Sequence, residues 1–296
     1  MQPRSTIALT LLLTLVACGG DEKTTPDARP PDIGFNKPTA SLKANASNAE
    51  LGPADLSCLG TPASDLATTL PVTLETTVRD FQDDTIVPNA GVTVFRGQDV
   101  SAVVDTKTAD GAGKVTVTIP AGTKRFGFKM TDASSLDTLL LNQIVEPSTM
   151  MQMLGSIQTV STKTATLLPA LIAKNRSAGT GVLAGAVYDC QGRPMSNFIA
   201  TVSSESGTAT HLPGAAAYYF DPTAGLPVRH NQRGLASADG LFMVIEIAVT
   251  PTAYVQAWGY PTDADLAADQ LKLIAELQVP VIGDTVITGS YRPLRR

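Results

Sequence analysis

From residue 70 the chain alternates apolar and polar positions. Val72, Leu74 and Val78 alternate with polar neighbours, as do Val92 and Val94, then Val115, Val117 and Ile119, then Phe126, Phe128 and Met130. A period of two turns one side of an extended chain to a core and the other to water, so each run predicts a half-buried strand. Turn residues bound the runs: Asp83-Asp84, Pro88-Asn89, Asp110-Gly111-Ala112-Gly113 and Pro120-Ala121-Gly122. Short antiparallel strands at such intervals predict a first β-sandwich over 55–140. A second series, within 181–296, is expected at 182–189, 198–202, 241–247, 253–258, 271–279 and 285–291. Between the two, 141–180 reads as a partly helical connector. Pro147 is placed to open a turn carrying Met150, Met151, Met153 and Leu154. Ser161 or Thr162 is placed to cap a segment with Leu167, Leu168, Leu171 and Ile172, which Pro169 kinks or shortens. The methionine cluster is expected to fill core, with a metal box as the alternative.

The amino-terminal part has a different texture. Residues 18–54 hold few large apolar side chains and cannot offset their ordering entropy, which predicts a disordered tether. A coil of that length spans about 30–35 Å. Before it, Arg4 precedes an apolar stretch from Ile7 to Ala17, too short for a bilayer span of roughly twenty residues. Residues 1–17 therefore read as a cleaved export signal. Leu15-Val16-Ala17-Cys18 resembles the lipobox of bacterial lipoproteins. The resemblance implies that Cys18 is lipidated and becomes the first mature residue, with the membrane as a partner through its lipid. Gly19 and Gly20 follow with no aspartate at the second mature position, which in such lipoproteins implies release to the outer membrane.

Composition narrows the classes. Removing 1–17 takes one of 22 basic residues and leaves 21 against 27 acids, a net charge of −6. That balance argues against nucleic acid as a partner. With Cys18 lipidated, Cys58 and Cys190 are the remaining thiols in an oxidising compartment, and are expected to pair. The bond would contribute roughly 4–5 kcal/mol in the chain-entropy model. Two separate buried thiols are the alternative.

Gly185-Ala186-Val187-Tyr188-Asp189-Cys190-Gln191-Gly192-Arg193-Pro194, then Ser237-Ala238-Asp239-Gly240-Leu241-Phe242, then Ala257-Trp258-Gly259-Tyr260 form a sequence of turn and strand motifs. It resembles the carboxypeptidase regulatory-like domain, a transthyretin-like seven-stranded sandwich. The first series is similar to a degenerate copy, with Val78-Arg79-Asp80, Pro88-Asn89-Ala90-Gly91-Val92 and Asp110-Gly111-Ala112-Gly113 in corresponding places. The resemblance implies an all-β chain of two transthyretin-like or Ig-like sandwich units. It also implies a non-catalytic role as spacer, stability module or binding surface. The sequence departs from the pattern at Val249-Thr250-Pro251 and in a long insertion over 203–234.

No catalytic constellation stands out. The two histidines, His211 and His230, both fall in the insertion, and no His-Glu-x-x-His, Gly-x-Ser-x-Gly or phosphate-loop motif occurs. No catalytic residue, metal ligand or cofactor is expected. The nearest enzyme reading is the intradiol dioxygenase type, whose iron takes two tyrosines and two histidines. Tyr218, Tyr219 and Tyr254 are available, but the close His-x-His pair of that family is missing. The insertion offers a candidate binding loop of His211, Tyr218, Tyr219 and His230. Its alternative is a lid, with Tyr218 and Phe220 folded back on a sheet face. Asp80, Asp83 and Asp84 lack the spacing of a calcium loop and read as a solvated turn, and Trp258 as packing. The chain is thus expected to be a non-enzymatic envelope lipoprotein that binds or scaffolds an envelope protein or glycan, with a structural spacer as the alternative.

Overall fold

The computed structural model describes residues 38–63, 65–145, 150–208, 212, 216–229, 236 and 238–295. Its first element is a hairpin of β1 (Lys43–Ala46) and β2 (Ala49–Pro53). Ser47 and Asn48 join them with φ of 46° and 63°, the two-residue left-handed turn whose twist suits paired strands. Residues 38–54 were expected in the tether, and the structure corrects this. Leu42 and Ala44 are fully buried, and Lys43 and Ala44 pair with Ser196 and Met195. Leu42 packs so closely on Gly259 that a Cβ there would lie 2.6 Å from Leu42 Cδ2. The stretch is too short and too polar to advertise a core strand, yet it pairs with Met195 and Ser196 and packs on Gly259.

The first unit contains β3 (Val72–Asp80), β4 (Gly91–Arg96), β5 (Val103–Thr108), β6 (Lys114–Ile119), β7 (Arg125–Thr131), β8 (Ser135–Ile144) and β9 (Met151–Ser161). Burial alternates along β3 and β6 as the sequence requires. The sheets are β5-β4-β7-β8 and β6-β3-β9, with β3 and β9 parallel. Leu74, Val92, Val94, Val117 and Met130 fill the space between them, with Phe126 and Phe128 edge to face at 5.3 Å. The Asp105 carboxylate accepts the Thr118 N–H at 2.8 Å, so a side chain joins the two sheets at one margin.

The connector departs from expectation at its start. Residues 151–161 form a parallel strand, not a helix, and 135–144 belong to the first unit's sheet. Parallel pairing with a strand some eighty residues away leaves no hairpin signal in the local sequence. Met150, Met151 and Met153 are 68%, 54% and 70% exposed, so they are not core filler either. The helix that follows, α1 (Thr162–Leu171), begins where its cap predicts: Ser161 Oγ accepts the Thr164 N–H at 3.2 Å.

The second unit contains β10 (Gly181–Val187), β11 (Met195–Ser196), β12 (Ile199–Ser203), β13 (Ala217–Asp221), β14 (Leu226–Pro227), β15 (Leu241–Ile247), β16 (Thr250–Gly259), α2 (Asp263–Ala267), β17 (Lys272–Val281) and β18 (Thr285–Tyr291). The six expected strands are all present. At or just past the end of each unit's first strand lies a buried aspartate that caps the following turn. Asp80 accepts from the N–H groups of Gln82 and Ser161, and Asp189 from those of Gln191 and Arg193.

The two units are not beads on a string. Strand β18 pairs in parallel with β10 on one side and with β8 on the other. One sheet therefore runs β14-β13-β15-β10-β18-β8-β7-β4-β5 through both units. The β12-β16-β17 sheet covers one face, where Leu139, Leu141, Leu183 and Ile287 join its core. The β6-β3-β9 sheet covers the other face in the first unit, and α1 covers that same face in the second. The architecture is all-β and sandwich-like, as the sequence predicts. Among the described residues no helix is long and apolar enough to cross a membrane.

Candidate functional site at the junction of the units

Where β8 meets β18 the covering layers stop short, leaving a recess on each face of the shared sheet. On the β9 side lies a groove of about 220 Å³. Its floor is made of small residues, Ala184, Gly185, Ala186 and Gly289, which let the surface sink between the layers. Ser156 and Gln158 of β9 form one wall, and Phe220 and Leu241 the other. It narrows beneath α1 into an apolar pocket of about 60 Å³. Phe81 and Phe220 meet edge to face at 6.1 Å at the constriction. Small-molecule sites generally enclose about 300–1,000 Å³, so this shallow trough suits a short extended segment better.

On the opposite face lies a polar cleft of about 260 Å³. Arg125 Nε donates to Asp65 Oδ2 at 2.5 Å, and its Nη1 donates to Asn142 Oδ1 at 2.9 Å. Asn142 in turn donates to the Ser290 carbonyl at 2.9 Å, a side-chain tie between the units. Cys58 and Cys190 line the cleft as the expected disulfide, with Cα atoms 5.8 Å apart. Beside it the fully buried Asp189 accepts Arg193 Nε and Nη2 at 2.8 and 2.6 Å and the Asp55 N–H at 3.2 Å. The Ser57 N–H holds the Asp55 carboxyl below its ordinary range. Arg292 stacks over the Tyr188 ring at 5.9 Å, and burial raises that tyrosine's pKa against the pull of the arginine. Arg125 pairs with Asp65 and Arg193 with Asp189, which makes this region a structural brace.

The sequence-predicted binding loop is distributed differently. Tyr218 and Tyr219 lie in β13, a strand inside the insertion, and both are buried. Sequence periodicity missed β13 because four successive residues, Ala217 to Phe220, are buried on both faces and show no alternation. Tyr218 and Phe220 face the α1 side of the sheet, as members of one of its strands and not as a loop folded over it. Tyr219 enters the opposite core, where its hydroxyl accepts the Ala200 N–H at 2.9 Å and burial drives its pKa far up. Neighbouring tyrosines on opposite faces of one strand cannot converge on a single iron. His211, His230 and Cys18 lie outside the described residues. Trp258 is packed with Leu271 and Leu273 and donates to Gln256 Oε1 at 3.0 Å. Tyr219→Phe leaves a buried N–H without its acceptor, so a loss of about 1–3 kcal/mol is expected by denaturant titration. An unchanged midpoint would contradict this structural role.

The fold and junction define a two-unit sandwich protein fused through one sheet. No family model matches the chain, and no curated protein matches it significantly. Among solved structures, the Bacillus anthracis TIE protein is 13% identical over 76% of this chain, with a TM-score of 0.25. Shaft pilin SpaA from Lactobacillus rhamnosus GG is 13% identical over 77% of this chain and 98% of its own, at 0.22. The full-length major pilin RrgB from Streptococcus pneumoniae is 8% identical over 85% of this chain and 51% of its own, at 0.20. The chain spans about a third of the TIE protein, covering 34% of it. Likenesses at these scores carry no argument about role.

Proposed function

We propose that the chain is a non-enzymatic, lipid-anchored scaffold of the bacterial envelope that holds another envelope component. The observation behind this reading is the parallel β8–β18 pairing, which makes one body of two sandwiches and leaves a groove at their junction. A continuous hydrogen-bonded sheet resists bending where a peptide linker would not. The resemblance of Cys18 and its preceding residues to a lipobox supplies the anchor, with the outer membrane as its destination. The similarity of the second unit's turns to the carboxypeptidase regulatory-like domain is consistent with a non-catalytic module. The partner is an envelope protein or glycan presenting a short extended segment. A pure spacer is the second reading, favoured by the same shared sheet.

Photo-crosslinking in cells separates the two. A crosslinking residue at Gln158, exposed on the groove wall, should capture one recurrent envelope component, and the same residue at Lys107, exposed on β5, should not. Equal, promiscuous capture at both positions would replace the scaffold reading with the spacer. In the same cells Cys18→Ala should abolish incorporation of labelled fatty acid. Persistent labelling would overturn the assignment of the anchor to that residue.

A further inference from the structure

We infer that Met150, Met151 and Met153 form a thioether site for a monovalent soft cation, Cu(I) or Ag(I). The six methionines after Met1 divide into two groups. Met130, Met195 and Met243 are buried at 0%, 0% and 3% exposure, as core-filling methionines are. The other three are 54–70% exposed and fall within four consecutive residues. Burial drives such side chains out of water, so three adjacent exceptions need a reason other than packing.

The backbone beneath them is fixed. The Thr73 N–H donates to the Met150 carbonyl at 2.9 Å, and Met151 and Met153 pair in register with Thr73 and Glu75 of β3. Met151 and Met153 are two apart on one strand, so they leave the same face roughly 6.6 Å apart. Met150 adjoins them at a bend just before the strand. Methionine has three rotatable bonds beyond Cα and a polarisable sulfur, so Met151 and Met153, on one face of the strand, can bring their sulfurs toward one ion, with Met150 at the adjoining bend as the third donor. Thioethers select soft ions such as Cu(I) over harder divalent ions. Glu75, in register opposite Met153 on the neighbouring strand, brings a negative charge to the same sheet. With Cys58 and Cys190 joined to each other, neither offers a competing thiolate.

Silver(I) is the probe, because it needs no reductant and leaves the disulfide intact. The full chain, in detergent and labelled at the methionine ε-methyl groups, is titrated with silver nitrate in chloride-free buffer. One equivalent should shift the ε-methyl signals of Met150, Met151 and Met153 and leave those of Met130, Met195 and Met243 in place. Replacing the three by leucine, which keeps volume but removes sulfur, should weaken binding at least about tenfold. The three core methyl signals report that this variant is folded. No shift at one equivalent, or the same affinity in the leucine variant, would overturn the site.

Discussion

The double variant Cys58→Ser, Cys190→Ser is expected to lose about 3–5 kcal/mol of unfolding free energy. The disulfide spans a sequence separation of 132, so its loop contains the whole first sandwich and α1. In the chain-entropy model, closing a loop of that length restricts the unfolded chain by about 5 kcal/mol, and native strain subtracts from it. The effect is also local. Residues 38–63 dock on the second unit through Leu42, through the Asn45 N–H on Pro194 and through the Gly60 N–H on Leu294. The Cys190 N–H donates to the Asp55 carbonyl at 2.9 Å, and the Cys58 N–H to Cys190 Sγ at 3.0 Å. Without the covalent tie this segment is held by the short β1 pairing with Met195 and Ser196, by Leu42 and by hydrogen bonds such as these. Hydrogen exchange should therefore speed up first in 42–60, before the sheets are affected. Guanidinium titration followed by Trp258 fluorescence gives the global loss. A loss below about 1 kcal/mol would mean that the unfolded chain retains the proximity the bond enforces.

How far the sequence foretold this arrangement depended on whether neighbouring residues or distant ones set each element. Val115, Val117 and Ile119 alternate because one face of β6 is wet, and the strand was legible. Ser161 announced α1 because a cap is a local device. The cysteine pair was legible from compartment and count. By contrast, β9 rests on a parallel partner far away in sequence, and its Met-Gln-Met-Leu start fits helix or strand equally well. β13 is wrapped on both sides and loses its period. The β1–β2 hairpin was legible only in its Ser47-Asn48 turn, since Leu42 is buried by Gly259, more than two hundred residues on. The junction groove was not legible at all. It exists because β18 pairs with two strands from different units, and nothing in the residues of β18 alone specifies its second partner.

That double pairing makes Gly185→Ala the most informative single change. Gly185 sits opposite Gly289 in the β10–β18 register, and Gly289 sits opposite Leu141 of β8. Its φ is +153°, and an added Cβ would lie 2.4 Å from the Gly289 carbonyl oxygen and 2.4 Å from Tyr291 Cε2. A rigid carbonyl cannot rotate away as a side chain can, so β10 must shift away from β18 inside the second unit, one strand in from the β8–β18 seam. A cost of about 3–4 kcal/mol is expected, well beyond the usual price of fitting alanine into a glycine site. Gly111→Ala, in a turn with open space around it, is the control and should stay within about 0.5 kcal/mol. The shape of the transition matters as much as its midpoint. If the shared sheet makes the two sandwiches one cooperative unit, wild-type chains should lose Trp258 fluorescence and far-ultraviolet ellipticity together. With β10 loosened from β18, Trp258 in the second unit should report at a different denaturant concentration from the bulk strand signal. Coincident transitions at an unshifted midpoint in Gly185→Ala would show that the pairing of β10 with β18 contributes little to coupling the second sandwich, through β18, to the first. The rigid-scaffold reading would then lose its support, because two independently hinged sandwiches cannot hold a groove of fixed width between them.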